Sequence, residues 1–172
     1  MKDPASIDGW MHPNELTWLE HQARKSNVII EIGSHRGRSA AALARGLGFG
    51  TLFLVDNYSG DGGTKEHRQA LLKNLEDPIR RGYCFLIEHS SYFAYPRLSE
   101  LLRFRKADMV FIDGDHSYEG VRSDIVLYRQ LLNPGGLLCG HDFDLEDVKR
   151  AVNDLCPNHQ LVPHTNIWFE TQ

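Results

Sequence analysis

Two short clusters of acids and histidines hold most of the chemical potential of this chain. Asp113, Asp115 and His116 follow the apolar run DMVFID at 108–113, and His141 and Asp142 close the run LLCGHD at 137–142. Carboxylates and imidazoles accept protons near neutral pH and ligate divalent cations. If the two runs are neighbouring strands, their ends lie about 4.8 Å apart and the side chains can converge on one ion. Asp113, His141 and Asp142 are therefore candidate ligands for Mg2+ or another divalent metal. The plainer reading of the histidines is polar loop residues, and nine histidines make chance clusters easier.

A second candidate lies nearer the N-terminus, in Glu31-Ile32-Gly33-Ser34-His35-Arg36-Gly37-Arg38-Ser39. A turn between a strand and a helix exposes backbone N–H groups, and glycine lets a ligand approach without a Cβ in the way. The nicotinamide fingerprint GxGxxG does not fit, because His35 stands at the middle glycine position. A phosphate-binding GxxxxGK[ST] loop is also missing. Asp56 follows about twenty residues later, the spacing at which an acid can accept hydrogen bonds from ribose hydroxyls. The alternative for Asp56 is an acid that merely starts a turn.

These residues need elements to hold them, and the sequence alternates strand-length apolar runs with amphipathic stretches, the signature of a parallel sheet covered by helices. Strands are predicted at 27–32, 51–56, 83–88, 108–113 and 137–142. Helices are predicted at 13–25, 39–47, from a Thr64 cap to about 76, at 92–104, 118–132 and 145–155. Asn57 to Thr64 reads as a flexible loop, Asp77-Pro78 lies beyond the third helix, and Asn133-Pro134-Gly135-Gly136 reads as a tight turn. Two short closing strands, 160–162 and 167–170, lack a long helix between them and should run antiparallel.

At 172 residues the chain suits one domain, with 1–26 as an N-terminal helical cap and 27–172 as the core. The net charge of -4 offers no field favouring nucleic acid. No signal peptide or membrane span is readable at the start or elsewhere. Cys84, Cys139 and Cys156 form no CxxC pair and read as buried free thiols, consistent with a cytoplasmic location.

Taken together, EIGSHRGRS (31–39), VFIDGDHSYEGVRSDI (110–125), LLNPGG (131–136) and GHDF (140–143) resemble the class I S-adenosylmethionine-dependent methyltransferases. More narrowly, they resemble the small subfamily of macrocin O-methyltransferase and cephalosporin-hydroxylase-like proteins. GWMHPNELTWLE (9–20) is also similar to N-termini of that family. The resemblance implies an α/β, Rossmann-like, doubly wound, mostly parallel sheet in three αβα layers, ordered 3-2-1-4-5 plus closing antiparallel strands. It implies S-adenosylmethionine as methyl donor and an O-methyl transfer to a hydroxyl of a small molecule or sugar.

Carried over by residue, the resemblance implies that Gly33 and Ser34 line the methionine moiety. Glu31 would orient their turn, and Ser39 would stand near it. Asp56 would bind ribose, Ser90 would lie beside adenine, and Asp113 would face the methionine end and the acceptor. The spacing of Asp113 and His116 matches metal-dependent sugar O-methyltransferases in which that histidine is the base, so Asp113 and His116 are the candidate catalytic pair. His141 replaces an acid of those enzymes. Of the other histidines, His35 could contact the donor carboxylate and His89 could flank adenine, while His12, His21, His67, His159 and His164 read as surface residues. Trp10 and Trp18 read as packing residues, with cover of the pocket as the alternative for Trp10. A non-catalytic cofactor-binding module and a nicotinamide enzyme are the competing classes. A homodimer is conceivable because so short a chain has few extra elements to wall an acceptor.

Overall fold

The computed structural model describes residues 2–59 and 65–172. Seven strands form one sheet: β1 Val28–Ile32, β2 Thr51–Val55, β3 Cys84–Ile87, β4 Ala107–Ile112, β5 Leu132–Gly140, β6 Gln160–Leu161 and β7 Trp168–Thr171, in the order β3-β2-β1-β4-β5-β7-β6. The pairings from β3 to β5 are parallel and those of β7 with β5 and β6 are antiparallel. This is the mostly parallel Rossmann-like sheet expected from the sequence.

Burial explains the order. VIIEI of β1 is buried at every position, as a strand covered on both faces must be. On β3, at the edge, Phe85 is exposed. Side chains alternate faces along each strand. Ile30, Val110 and Leu138 pack on one face under the helices α5 Ser91–Leu101, α6 Tyr118–Tyr128 and α7 Glu146–Leu155. Ile29, Met109, Phe111 and Cys139 pack on the other under α1 Pro13–Ala23, α2 Arg38–Leu47 and α3 Lys65–Asn74. The alanines 40–42 and 44 let α2 lie close to α1 and the sheet, and all are buried. Cys84, Cys139 and Cys156 are buried free thiols, as expected.

Three expectations need correction. The Asn133–Gly136 turn is absorbed into β5: between the pairs Ala107↔Leu132 and Met109↔Leu137 the register shifts, and the extra residues bulge outward. The C-terminal residue holds that bulge, with Gly135 N donating to Gln172 O (2.6 Å) and Gln172 N donating to Gly136 O (2.9 Å). The stretch after α3 does not end at Asp77-Pro78, because these residues lie inside a short helix, α4 Glu76–Arg80. Pro78 is tolerated because a first turn needs no N–H there. His67 is buried at 7% exposure instead of surface-bound. The predicted Thr64 cap lies outside the described residues. Among the described residues no helix is long and apolar enough to cross a membrane.

Candidate active site

The backbone ladder continues one residue past four strands and thereby fixes where their polar ends point. Gly33 N donates to Val55 O (2.9 Å), Asp56 N to Ile87 O (3.2 Å), Asp113 N to Ile32 O (2.8 Å) and His141 N to Ile112 O (3.1 Å). All of these ends share the carboxyl edge of the sheet, where ligands bind in doubly wound folds. Three of them, Gly33, Asp56 and Asp113, open on one cleft of about 670 Å³ that is also lined by Trp10, His35, Ser90 and His116 among others. His89 also lines it, next to Ser90, which precedes α5.

The glycine turn is built by packing as much as by ligand access. Gly33 has φ +87°, and a Cβ there would stand 1.9 Å from the backbone oxygen of Asp113. Gly33 is thus required for the turns after β1 and β4 to touch, which the sequence reading assigned to ligand approach. Gly37, at φ +85°, starts α2 in a left-handed conformation open to glycine. Beneath the turn Glu31 is fully buried, and burial pushes its pKa up to about 8 against the opposing pull of the Ser39 and Ser34 hydroxyls. Glu31, Ser34 and Ser39 lie under the turn and do not line the cleft, so any part they take is through the turn.

Asp56 clamps this turn from the next strand. Its Oδ2 accepts from His35 N and its Oδ1 from Tyr58 N, both at 2.7 Å. His35 has φ +44° and its ring lies between Trp10 (centroids 5.0 Å apart) and His67 (4.3 Å). Burial, with His67 and Arg36 nearby, holds the His35 pKa below the ordinary value. Trp10 is 79% exposed, so it covers the cleft more than it packs. Arg36 reaches His67 Nε2 at 3.0 Å. Composition alone carries no signal for this Trp-His-His stack, since its members are 10, 35 and 67 in the chain.

On the other side of Gly33, the ends of β4 and β5 bring the four expected residues together. His116 Nε2 lies 3.0 Å from Asp142 Oδ2 and 3.7 Å from Asp113 Oδ1. His141 Nδ1 lies 3.0 Å from Asp142 Oδ1 and 3.9 Å from Asp113 Oδ1. Asp113, and after it Asp142, raise the His116 pKa against the opposing effect of burial, although Asp142 is the closer carboxylate. For His141 burial opposes the charged form, but Asp142, Glu15 and Asp113 outweigh it and push the pKa up to about 10. Burial lifts Asp113 above the usual carboxylate range. Asp142 sits at φ +57°, a left-handed conformation that a non-glycine residue keeps only where its surroundings impose it. Ligand atoms of Asp113, His141 and Asp142 lie within 4.8 Å of one another, a spacing that can hold a cation. Asp115 is used locally: its Oδ1 accepts from Ser117 N (2.9 Å) at the start of α6.

Two residues were not anticipated. Glu15 reaches His141 from α1, and Asp124 of α6 lines the cleft with a buried, unpartnered Oδ1. Glu15 has a local signal, since an acid three residues into a helix can accept from the N-cap backbone. Asp124 has none beyond being a polar residue on an otherwise apolar helix face.

Comparison with known proteins agrees with this architecture. A family model described as a methyltransferase domain matches residues 30–143. An uncharacterized protein, y4gI, of Sinorhizobium fredii is 28% identical over 76% of the chain, and the chain spans only 14% of that protein's length. Among solved structures, an O-methyltransferase from Bacillus cereus in complex with SAH superposes with TM-score 0.73 at 16% identity, covering 98% of this chain and 86% of that one. CalS11, a TDP-rhamnose 3'-O-methyltransferase of calicheamicin biosynthesis, gives 0.71 at 16% identity over 92% and 77%. TomG from Streptomyces achromogenes, in complex with SAM, gives 0.69 at 16% over 93% and 79%. At these identities the likeness establishes the fold.

Proposed function

The chain belongs to the methyltransferase-domain family, and on that premise we propose that it transfers a methyl group from S-adenosylmethionine to a hydroxyl of a small molecule or sugar. One observation carries the reading: the Gly33 turn, Asp56 and Ser90 share a single cleft with Asp113 and His116.

The residues present fit such a donor. Strands about 4.8 Å apart, in the order β3-β2-β1-β4, spread Ser90, Asp56, Gly33 and Asp113 along a line long enough for an adenosine joined to an amino acid. Ser90 would lie beside the base, Asp56 at the ribose hydroxyls, and the Gly33 turn at the methionine part. His35 Nε2 and His67 Nδ1 are buried without partners, and both residues line the cleft. They are donors suited to the carboxylate of the methionine part. The aspartates at the β4 and β5 ends favour the positive sulfonium.

S-adenosylmethionine supplies a methyl carbon on a sulfonium that leaves as a neutral thioether. The chain's own work is to align the acceptor oxygen with that carbon and to take its proton. His116, 45% exposed and turned to Asp142, stands where it can receive the hydroxyl proton as the oxygen–carbon bond forms and the carbon–sulfur bond breaks. Asp142 steadies the imidazolium that results. Asp113, His141 and Asp142 offer two oxygens and one nitrogen to a divalent cation such as Mg2+. Such a cation would lower the hydroxyl pKa and fix its angle.

Isothermal titration with S-adenosylmethionine and with S-adenosylhomocysteine tests the donor. The expected result is saturable binding of both, weakened in Asp56→Ala. Absence of binding to either in the folded protein would overturn the function. Sugar nucleotides and other small hydroxyl compounds are the first acceptors to assay, since TDP-rhamnose is the substrate named for CalS11.

A further inference from the structure

We propose that Glu15 is a positioning residue of the active site, holding the His141 ring so that Nδ1 faces Asp113 and Asp142. The proposal rests on the reading of Asp113, which lines the cleft, and of His141 and Asp142 beside it as a working cluster.

Glu15 lies on the N-terminal helix, outside the segment that the family model matches, and is only 2% exposed. A carboxylate so deeply placed must have its charge answered. Oε2 accepts from His12 N (2.7 Å), and Oε1 accepts from Asn166 N (3.0 Å). Among the described side chains His141 stands against it as an ion pair, Nε2 lying 3.1 Å from Oε1 without meeting hydrogen-bond geometry. One carboxylate therefore joins α1, the end of β5 and the loop before β7.

The consequence falls on the far side of the ring. With Nε2 turned to Glu15, Nδ1 is the nitrogen that faces Asp142 Oδ1 at 3.0 Å, and a cation bound there would take the place of the Nδ1 proton. Which imidazole nitrogen is free for a ligand is set by what the other one bonds. Histidines that ligate metals commonly donate their remaining N–H to a carboxylate, and loss of that partner costs 10–100-fold in metal affinity. The N-terminal helix thus contributes to the site a group that the sheet alone does not provide, and the helical cap is part of the machinery.

The test compares wild type with Glu15→Gln, which keeps the shape and removes the charge. Retained binding of S-adenosylhomocysteine shows that the cleft is intact. Long-range 1H–15N spectra then report the two ring nitrogens of His141, assigned with His141→Asn. A Co2+ titration followed by visible absorption reports the cluster. The expected outcome in Glu15→Gln is displaced His141 nitrogen signals and roughly 10–100-fold weaker Co2+ binding. Unchanged signals together with unchanged Co2+ affinity would overturn the proposal. If Co2+ binds neither protein, the metal part of the proposed function is lost, and the imidazole signals alone decide the role of Glu15. Should Glu15→Gln not fold, Glu15→Asp is read in the same way, because it withdraws the carboxylate by one methylene.

Discussion

Replacing Glu31 with Gln should flatten the pH dependence of stability. Glu31 is buried in the middle of the sheet edge, and neither carboxylate oxygen has a well-formed hydrogen bond. Burial raises its pKa from the ordinary 4.5 to about 8, with Asp113 and Asp56 adding repulsion. The folded chain therefore keeps a proton between these values while the unfolded chain loses it. An acid with a raised folded pKa makes stability fall as pH rises through that window. Each pH unit inside it is worth about 1.4 kcal/mol, so on the order of 2–3 kcal/mol should be lost between pH 5 and pH 7. Glutamine cannot ionise and has no such slope. Urea unfolding of both proteins at pH 5, 6 and 7 isolates the effect, because other titrating groups cancel in the difference. Glu31→Gln should gain on wild type by about 1.4 kcal/mol per pH unit over that range. A difference independent of pH would show that Glu31 is ionised in the folded protein and refute the argument.

Gly33→Ala should destabilise the fold by about 2–5 kcal/mol, the sum of left-handed strain and overpacking against Asp113 O, and thermal unfolding by circular dichroism measures it; a stable variant would mean that the two turns can separate. Asp56→Ala should weaken donor binding by roughly 10–100-fold, as a charged hydrogen-bond acceptor is lost. It should also loosen the turn that it holds through His35 N, and calorimetry with unchanged affinity would remove Asp56 from the site. His116→Ala should lower turnover by about 10²–10⁴ with donor affinity retained, the usual loss for a general base; full activity would reassign the proton to another group. Excess chelator should lower turnover if Asp113, His141 and Asp142 hold a metal, and full activity under chelation would leave His116 alone to activate the hydroxyl.

The alternation of apolar runs and amphipathic stretches determined the number of central strands and their succession along the chain, because a strand buried on both faces must be apolar throughout and a covering helix must be so along one stripe; their order across the sheet came from the resemblance to the methyltransferases. Strand order then placed Asp56, Asp113, His116, His141 and Asp142 at one edge, since residues ending parallel strands end on the same side. That much is local pattern plus topology. Tertiary contact alone decided the rest. Gly33 owes its conformation to Asp113, eighty residues away, and no periodicity reports a close approach between two turns. NPGG has turn chemistry, yet it is held as a bulge by backbone bonds from Gln172. His67 and Glu15 look like surface residues in their own helices. Burial reaches them because Arg36 and His141 arrive from distant parts of the chain to answer their polar groups. A polar residue's solvation depends on partners that only the folded chain brings within hydrogen-bond distance.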